Sequence, residues 1–250
     1  MLKVQGITKS FTADTKVLDG INFTVEKGEI IYLLGGNGSG KSTLLKILAG
    51  FYKPDKGIFT LLDKNLVRLP HHKISKFIHY LHQSKEDNIA PSLTLLEALF
   101  MAISNNYSNF SWFQTSYYKK SVEEILEPIE LNLKNKINQQ LKSFSGGESQ
   151  VIVFLLTLEL IKNSNSSNNI LLFDEFTSQL DFKLSAQVIK FTIALITKSN
   201  LTAIIVTHNI QEALDHADRI LILKNGTIIK ALTRDKQLFA SKAEIESLIF

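Results

Sequence analysis

Apolar and polar positions alternate through residues 1–34: Leu2 and Val4, then Ile21, Phe23 and Val25, predict paired strands. Lys27-Gly28 reads as a turn into Ile30-Ile31-Tyr32-Leu33-Leu34, an apolar run suited to a buried strand. Lys41 to Ala49 has Leu44, Leu45 and Leu48 on one helical side, with Gly50 as a stop. Pro54-Asp55-Lys56-Gly57 predicts a turn into a strand over Ile58–Leu62, and Ile78 to Gln83 a further short strand. From Ser92 the period becomes helical, through Leu93, Leu96, Leu99 and Phe100, then Val122, Ile125 and Leu126, to about Ile161. The aromatic and polar stretch Tyr107–Tyr118 reads as ordinary packing, with a partner-docking surface as the alternative. Asn163 to Asn169 is a polar, low-complexity surface connector. Strands resume at Ile170–Phe173 and Leu201–Val206, around a helix from about Phe182 to Lys198 that Asp181 is placed to cap. Asn225-Gly226 signals a hairpin between Ile220–Leu223 and Thr227–Ile229, and Asp235–Phe250 reads as a closing helix.

At 250 residues the chain suits one α/β domain with room for a subdomain. Its 44% hydrophobic and 21% charged residues are those of a globular protein. With no cysteine, disulfides, cysteine-ligated zinc and thiol catalysis are excluded. A net charge of +4 with scattered basic residues does not indicate nucleic acid. Met1–Gln5 runs into strand-like sequence and offers no signal-peptide pattern. The longest apolar stretch, Val151 to Ile161, falls short of the ~20 residues that a bilayer span needs. Any membrane spanning falls to another chain.

Gly35-Gly36-Asn37-Gly38-Ser39-Gly40-Lys41-Ser42, followed by Thr43, fits G-x-x-x-x-G-K-[ST] between a strand and a helix. Glycines let backbone N–H groups converge on phosphate oxygens, and the helix N-terminus adds partial positive charge. Lys41 can reach the β- and γ-phosphates, and the Ser42 hydroxyl can ligate Mg²⁺. This is a nucleotide site.

Downstream features narrow it. Ile170–Phe173 ends in Asp174-Glu175, and neighbouring residues of a strand point differently, so the two acids can take different jobs. Asp174 would hold Mg²⁺ through water, and Glu175 would polarise the attacking water. Ser145-Gly146-Gly147-Glu148 opens an apolar helix; Ser145 and Glu148 form a capping box, and the glycines leave N–H groups free for a second phosphate. His208 follows the strand ending at Val206 and is expected at the γ-phosphate, while Gln83 could reach Mg²⁺ or the water.

In this order the motifs resemble the nucleotide-binding subunit of ATP-binding-cassette (ABC) transporters over essentially the whole chain. The resemblance implies a RecA-like P-loop NTPase core with an antiparallel β subdomain over 1–87 and 162–250, and an inserted α-helical subdomain over 88–161. It makes Gly35–Ser42 the Walker A loop, Asp174-Glu175 the Walker B acid and catalytic glutamate, and Ser145–Glu148 the signature. Gln83 resembles the Q-loop, Ser178 to Asp181 the D-loop, His208 the switch histidine, and Phe11 the aromatic that stacks on adenine. It implies ATP and Mg²⁺ as cofactors and a head-to-tail dimer sandwiching ATP between one copy's P-loop and the other's signature. A permease at the inner membrane's cytoplasmic face, and a solute-binding protein, would be the other partners. Ala90–Thr94, Asp174–Ser178 and Leu201–Asn209 resemble a bacterial importer branch of amino-acid type. A soluble cassette ATPase, as in iron–sulfur cluster assembly, and an ATP-binding regulatory module remain alternatives. Departures from the family pattern are Gly36, Phe144, Glu148, Ser149 and Phe176. Glu148 places negative charge beside a bound phosphate unless it turns back onto its own helix, so slow or partner-dependent hydrolysis, relieved by Glu148→Gln, is expected.

Overall fold

In the computed structural model, the structure describes residues 1–12, 15–81, 90–104, 122–123, 125–126, 132–162, 168–178, 180–234 and 242–249. The chain divides into one unit of Met1–Leu81, Asn168–Phe176 and Ile193–Phe250, and another of His82–Ser167 and Thr177–Thr192. Residues 88–161 lie in the second unit, together with 82–87, 162–167 and 177–192.

The first unit holds two sheets. β1 (Leu2–Ser10) pairs antiparallel with β2 (Lys16–Val25) and with β4 (Lys56–Leu61), and β5 (Lys64–Asn65) closes the order β2-β1-β4-β5. The predicted alternation sets this register: Leu2 faces Val25 and Leu61, and Val4 faces Phe23 and Phe59. The second sheet has the order β10-β9-β3-β8-β7-β6. Its inner strands β3 (Ile30–Leu34), β7 (Ile170–Asp174) and β8 (Thr202–Val206) are buried at every position, so they read as continuous apolar runs. β6 (Ile78–Leu81) and β9 (Arg219–Lys224) extend the parallel pairing at either side, and β10 (Thr227–Thr233) adds an antiparallel edge.

α1 (Lys41–Leu48) buries Leu44, Leu45, Ile47 and Leu48 in a core shared with Leu33, Leu172, Ile204 and Leu221. The short α2 (His71–Ile74) precedes β6. α6 (Ile210–His216) and α7 (Lys242–Ile249) pack on each other; α7 falls within the expected closing helix, whose residues 235–241 and 250 lie outside the described residues.

In the second unit, α3 (Leu95–Ser104) opens with a capping box, Thr94 N–H and Oγ1 donating to Glu97 Oε2 at 2.7 and 2.8 Å. It packs on α4 (Gly146–Lys162), whose Val151, Ile152, Val153, Phe154 and Leu155 are all buried, the pattern of a helix covered on most sides. α5 (Phe182–Lys198), whose residues 182–192 belong to this unit, begins where expected, with Asp181 Oδ1 accepting from Leu184 N–H at 3.0 Å. Among the described residues no helix is long and apolar enough to cross a membrane. The aromatic stretch Tyr107–Tyr118 and connector residues 163–167 lie outside the described residues.

The Asn225-Gly226 hairpin forms as predicted, with φ of 50° and 73°. Gly226 N–H donates to Ser39 O, its carbonyl accepts from Asp19 N–H, and a Cβ there would lie 2.6 Å from Val17 O. Gly226→Ala should therefore lower the chemical-denaturation free energy by more than about 1 kcal/mol, since strain and collision act together.

Candidate active site

The P-loop leaves β3 through Gly35, where a Cβ would stand 2.2 Å from Leu223 O and 2.8 Å from Ser39 Oγ, so only glycine allows the loop to pass. Asn37 and Gly38 at the loop tip are exposed, Gly36 is half-buried, and Ser39 and Gly40 are buried. Gly40 enters α1 in the left-handed region, its carbonyl accepting from Leu44 N–H at 2.9 Å. Lys41 lies inside the loop, Nζ donating to Gly35 O at 2.8 Å and Gly36 O at 2.9 Å. Burial draws its ammonium below the ordinary value, partly offset by the charges of Glu175 and Asp174.

Ser42 and Thr43, half-buried, follow in the first turn of α1. Ser42 Oγ donates to Asp174 Oδ1 at 2.9 Å, and Tyr80 Oη donates to Asp174 Oδ2 at 2.6 Å. Asp174 is buried at the end of β7, with both oxygens engaged. Glu175 is the next residue but adopts φ 49°, which directs its side chain elsewhere, with Oε1 2.6 Å from His208 Nε2. Its N–H donates to Val206 O at 3.1 Å, fastening it to the end of β8. P-loop, both acids and His208 therefore meet at one sheet edge. Phe176 packs edge-on against Phe173 at 5.2 Å.

Phe11 is 54% exposed and meets Tyr52 edge to face at 5.3 Å, with Lys9 Nζ 5.6 Å from its ring centre. Gln83 lies outside the described residues. In the second unit, Ser145, Gly146, Gly147 and Glu148 open α4 with the expected capping box. Ser145 N–H donates to Glu148 Oε2 at 3.0 Å, and Glu148 N–H to Ser145 Oγ at 3.4 Å. Glu148 has thus turned back onto its own helix, the condition under which the expected repulsion weakens. Ser149 is fully buried beneath the loop. Ser178 is exposed, and Asp181 caps α5 as described.

The ABC transporter family matches residues 18–178. The chain belongs to that family. It is 31% identical to the tyrosine transport ATP-binding protein of Clostridioides difficile over 92% of this chain and 90% of that one. It is 30% identical to the xylose/arabinose import ATP-binding protein of Sulfolobus acidocaldarius, covering 92% of this chain and 86% of that one. A solved ATP-binding cassette, a dimer in a post-hydrolysis state bound to ADP and Pi, superposes with a TM-score of 0.75 at 26% identity, over 93% of this ABC protein and 98% of that chain.

Two residues of this ABC chain carry contacts that no motif announces. Tyr80 acts on Asp174 from β6, and only the pairing of Tyr80 with Leu172 on β7 brings it there. Glu212, buried in α6, accepts from Thr207 Oγ1 at 3.2 Å, and its N–H donates to Asn209 Oδ1, so His208 is flanked by anchored neighbours. Burial pushes the Glu212 carboxyl up to about 7, against the opposing pull of the Tyr32 and Thr207 hydroxyls. Burial and Glu212 push the Tyr32 hydroxyl up as well.

A carboxyl whose folded pKa lies above its ordinary 4.5 favours the folded state while protonated. That contribution is fully present below about 4.5 and fades as pH rises to about 7. Denaturation of the parent between pH 5 and 8 should lose stability on the order of 3 kcal/mol from this group. Glu212→Gln should remove that slope; an identical pH profile in the variant would contradict it.

Proposed function

We propose that this ABC protein is the ATP-hydrolysing subunit that energises solute uptake through a separate membrane permease, docked peripherally at the cytoplasmic face. The observation that carries the reading is the joining of Ser42 to Asp174 and of Glu175 to His208 at the edge where the P-loop leaves β3. Gly35 to Thr43 cradle the triphosphate, and Lys41 exchanges its carbonyl partners for β- and γ-phosphate oxygens. Phe11 is the aromatic available to adenine.

Ser42 Oγ and Asp174 Oδ1, 2.9 Å apart, are hard oxygen donors that fit Mg²⁺, which takes few protein ligands alongside substrate phosphates. Bound there, Mg²⁺ would supply positive charge to offset that developing on the phosphate oxygens. Tyr80 holds Asp174 in one orientation. Glu175 takes a proton from the attacking water, with His208 orienting its carboxylate and reaching toward the γ-phosphate.

Two copies pair head to tail, each presenting Ser145, Gly146, Gly147 and Glu148 to the other's ATP while Ser178 and Asp181 line the join. ATP-driven closure followed by hydrolysis supplies the cycle that a permease converts into movement. Relatives are named for tyrosine and for xylose and arabinose, so the permease, not this chain, selects the solute.

Lys41→Ala should lose nucleotide binding, whereas Glu175→Gln should bind ATP, lose turnover by at least about a thousandfold and accumulate as a dimer in light scattering. Turnover near that of the parent in Glu175→Gln would sink the general-base role. Tyr80→Phe, which keeps the ring, should raise the Mg²⁺ concentration needed for nucleotide binding by roughly tenfold and leave binding in EDTA unchanged. Affinity capture from solubilised membranes with Mg²⁺ and ATP tests the transport role: a multi-span protein should co-purify, and a soluble scaffold in its place would favour cluster assembly.

A further inference from the structure

Phe144 and Glu148, two of the departures in the signature segment, share one partner. Lys136 ends a 3₁₀ turn over Leu133–Lys136; its Nζ lies 2.5 Å from Glu148 Oε1 and 5.9 Å from the centre of the Phe144 ring. The other oxygen, Oε2, accepts from Ser145 N–H at 3.0 Å and Ser145 Oγ at 3.1 Å. The side chains of Lys136 and Glu148 are 34% and 15% exposed, so the pair is better shielded from water than a surface ion pair. Phe144 is buried and offers its ring to the lysine. Burial pushes the Glu148 carboxyl up, but the bonds from Lys136 and Ser145 outweigh it and hold the group below the usual carboxylate range. Glu148 is therefore an anion at neutral pH, in a loop that has to approach another anion.

On the reading that this signature contacts the ATP of a second copy, we propose that Lys136 is the counter-charge that makes an anionic Glu148 tolerable there. It neutralises the carboxylate and holds it toward its own helix, leaving the N–H groups at the start of α4 to face the triphosphate. Phe144 supplies the flat apolar support that keeps the ammonium in place. Lys136 touches no nucleotide on this reading; it is a positioning residue. The same pairing accounts for a glutamate that local sequence alone marks as repulsive: the compensating charge lies in a turn twelve residues earlier.

The test is a double-mutant cycle in the full chain carrying Glu175→Gln, reading ATP-driven dimerisation with Mg²⁺ by light scattering at low and high salt. Lys136→Met should need on the order of tenfold more ATP to dimerise, with the defect shrinking as salt screens the exposed carboxylate. Adding Glu148→Gln to Lys136→Met should restore most of the loss, and Lys136→Arg should behave nearly as the parent. Equal, salt-insensitive losses in the single and double variants would mean a mere structural prop and overturn the proposal, as would unimpaired dimerisation of Lys136→Met. Should Lys136→Met fail to fold, Lys136→Gln enters the same cycle with the same expectations. A parent that never dimerises with ATP overturns the trans-contact reading and this proposal together. A parent that dimerises but gives an additive cycle overturns the role of Lys136 alone.

Discussion

Because β3, β8 and β7 run parallel, the residues following each of them emerge at the same edge, and the site exists only where those ends coincide. The P-loop follows β3, Asp174 and Glu175 end β7, and His208 follows β8, although more than 130 residues separate Ser42 from Asp174. The strand order makes these ends neighbours: β3 pairs with β8, and β8 with β7. Full burial of all three strands fixes the register, since a one-residue slip would move Asp174 away from Ser42. Core packing and catalytic geometry are one constraint here.

Much of this was legible in sequence because the chemistry demands residue types at fixed spacing. Glycines are required where a backbone passes at contact distance, as at Gly35, and a lysine-serine pair must open the helix. Strand runs ending in acids or histidine could be read because buried parallel strands are continuous and apolar. The Ser145–Glu148 box and the Asp181 cap were equally readable, being local bonds across three residues. What sequence could not supply was anything set by pairing between distant segments. Tyr80 looks like an ordinary strand aromatic until β6 is laid beside β7. Lys136 looks like one of many scattered lysines until its turn meets the start of α4. Glu212 reads as a polar helix residue, and only tertiary burial makes it a carboxyl that titrates near neutrality.

The departures from the family pattern show how such compensation works. Phe176, after the two acids, packs edge-on on Phe173. Glu148 makes the capping bonds with Ser145, and its charge is met by Lys136. In both places a neighbouring side chain meets the residue that departs. A motif is therefore better judged by whether its bonds are made than by whether its letters match.

Glu175 gives the strongest instance of local strain kept for a purpose. A non-glycine residue at φ 49° costs roughly 1–3 kcal/mol, and it persists only where its surroundings over-determine it. Here the surroundings do so twice: Val206 O holds its N–H and His208 Nε2 meets its carboxylate. The strain has a geometric use. An extended residue after Asp174 would continue the strand's alternation and direct its side chain to the opposite face. The left-handed turn instead delivers two consecutive carboxylates to one edge, Asp174 to the hydroxyls of Ser42 and Tyr80, Glu175 to His208. Because the end of β8 and the segment that follows it supply both fastenings of Glu175, movement of that segment, which carries His208, would be felt directly at the proposed general base. Histidine position and carboxylate geometry are thereby coupled within one hydrogen bond.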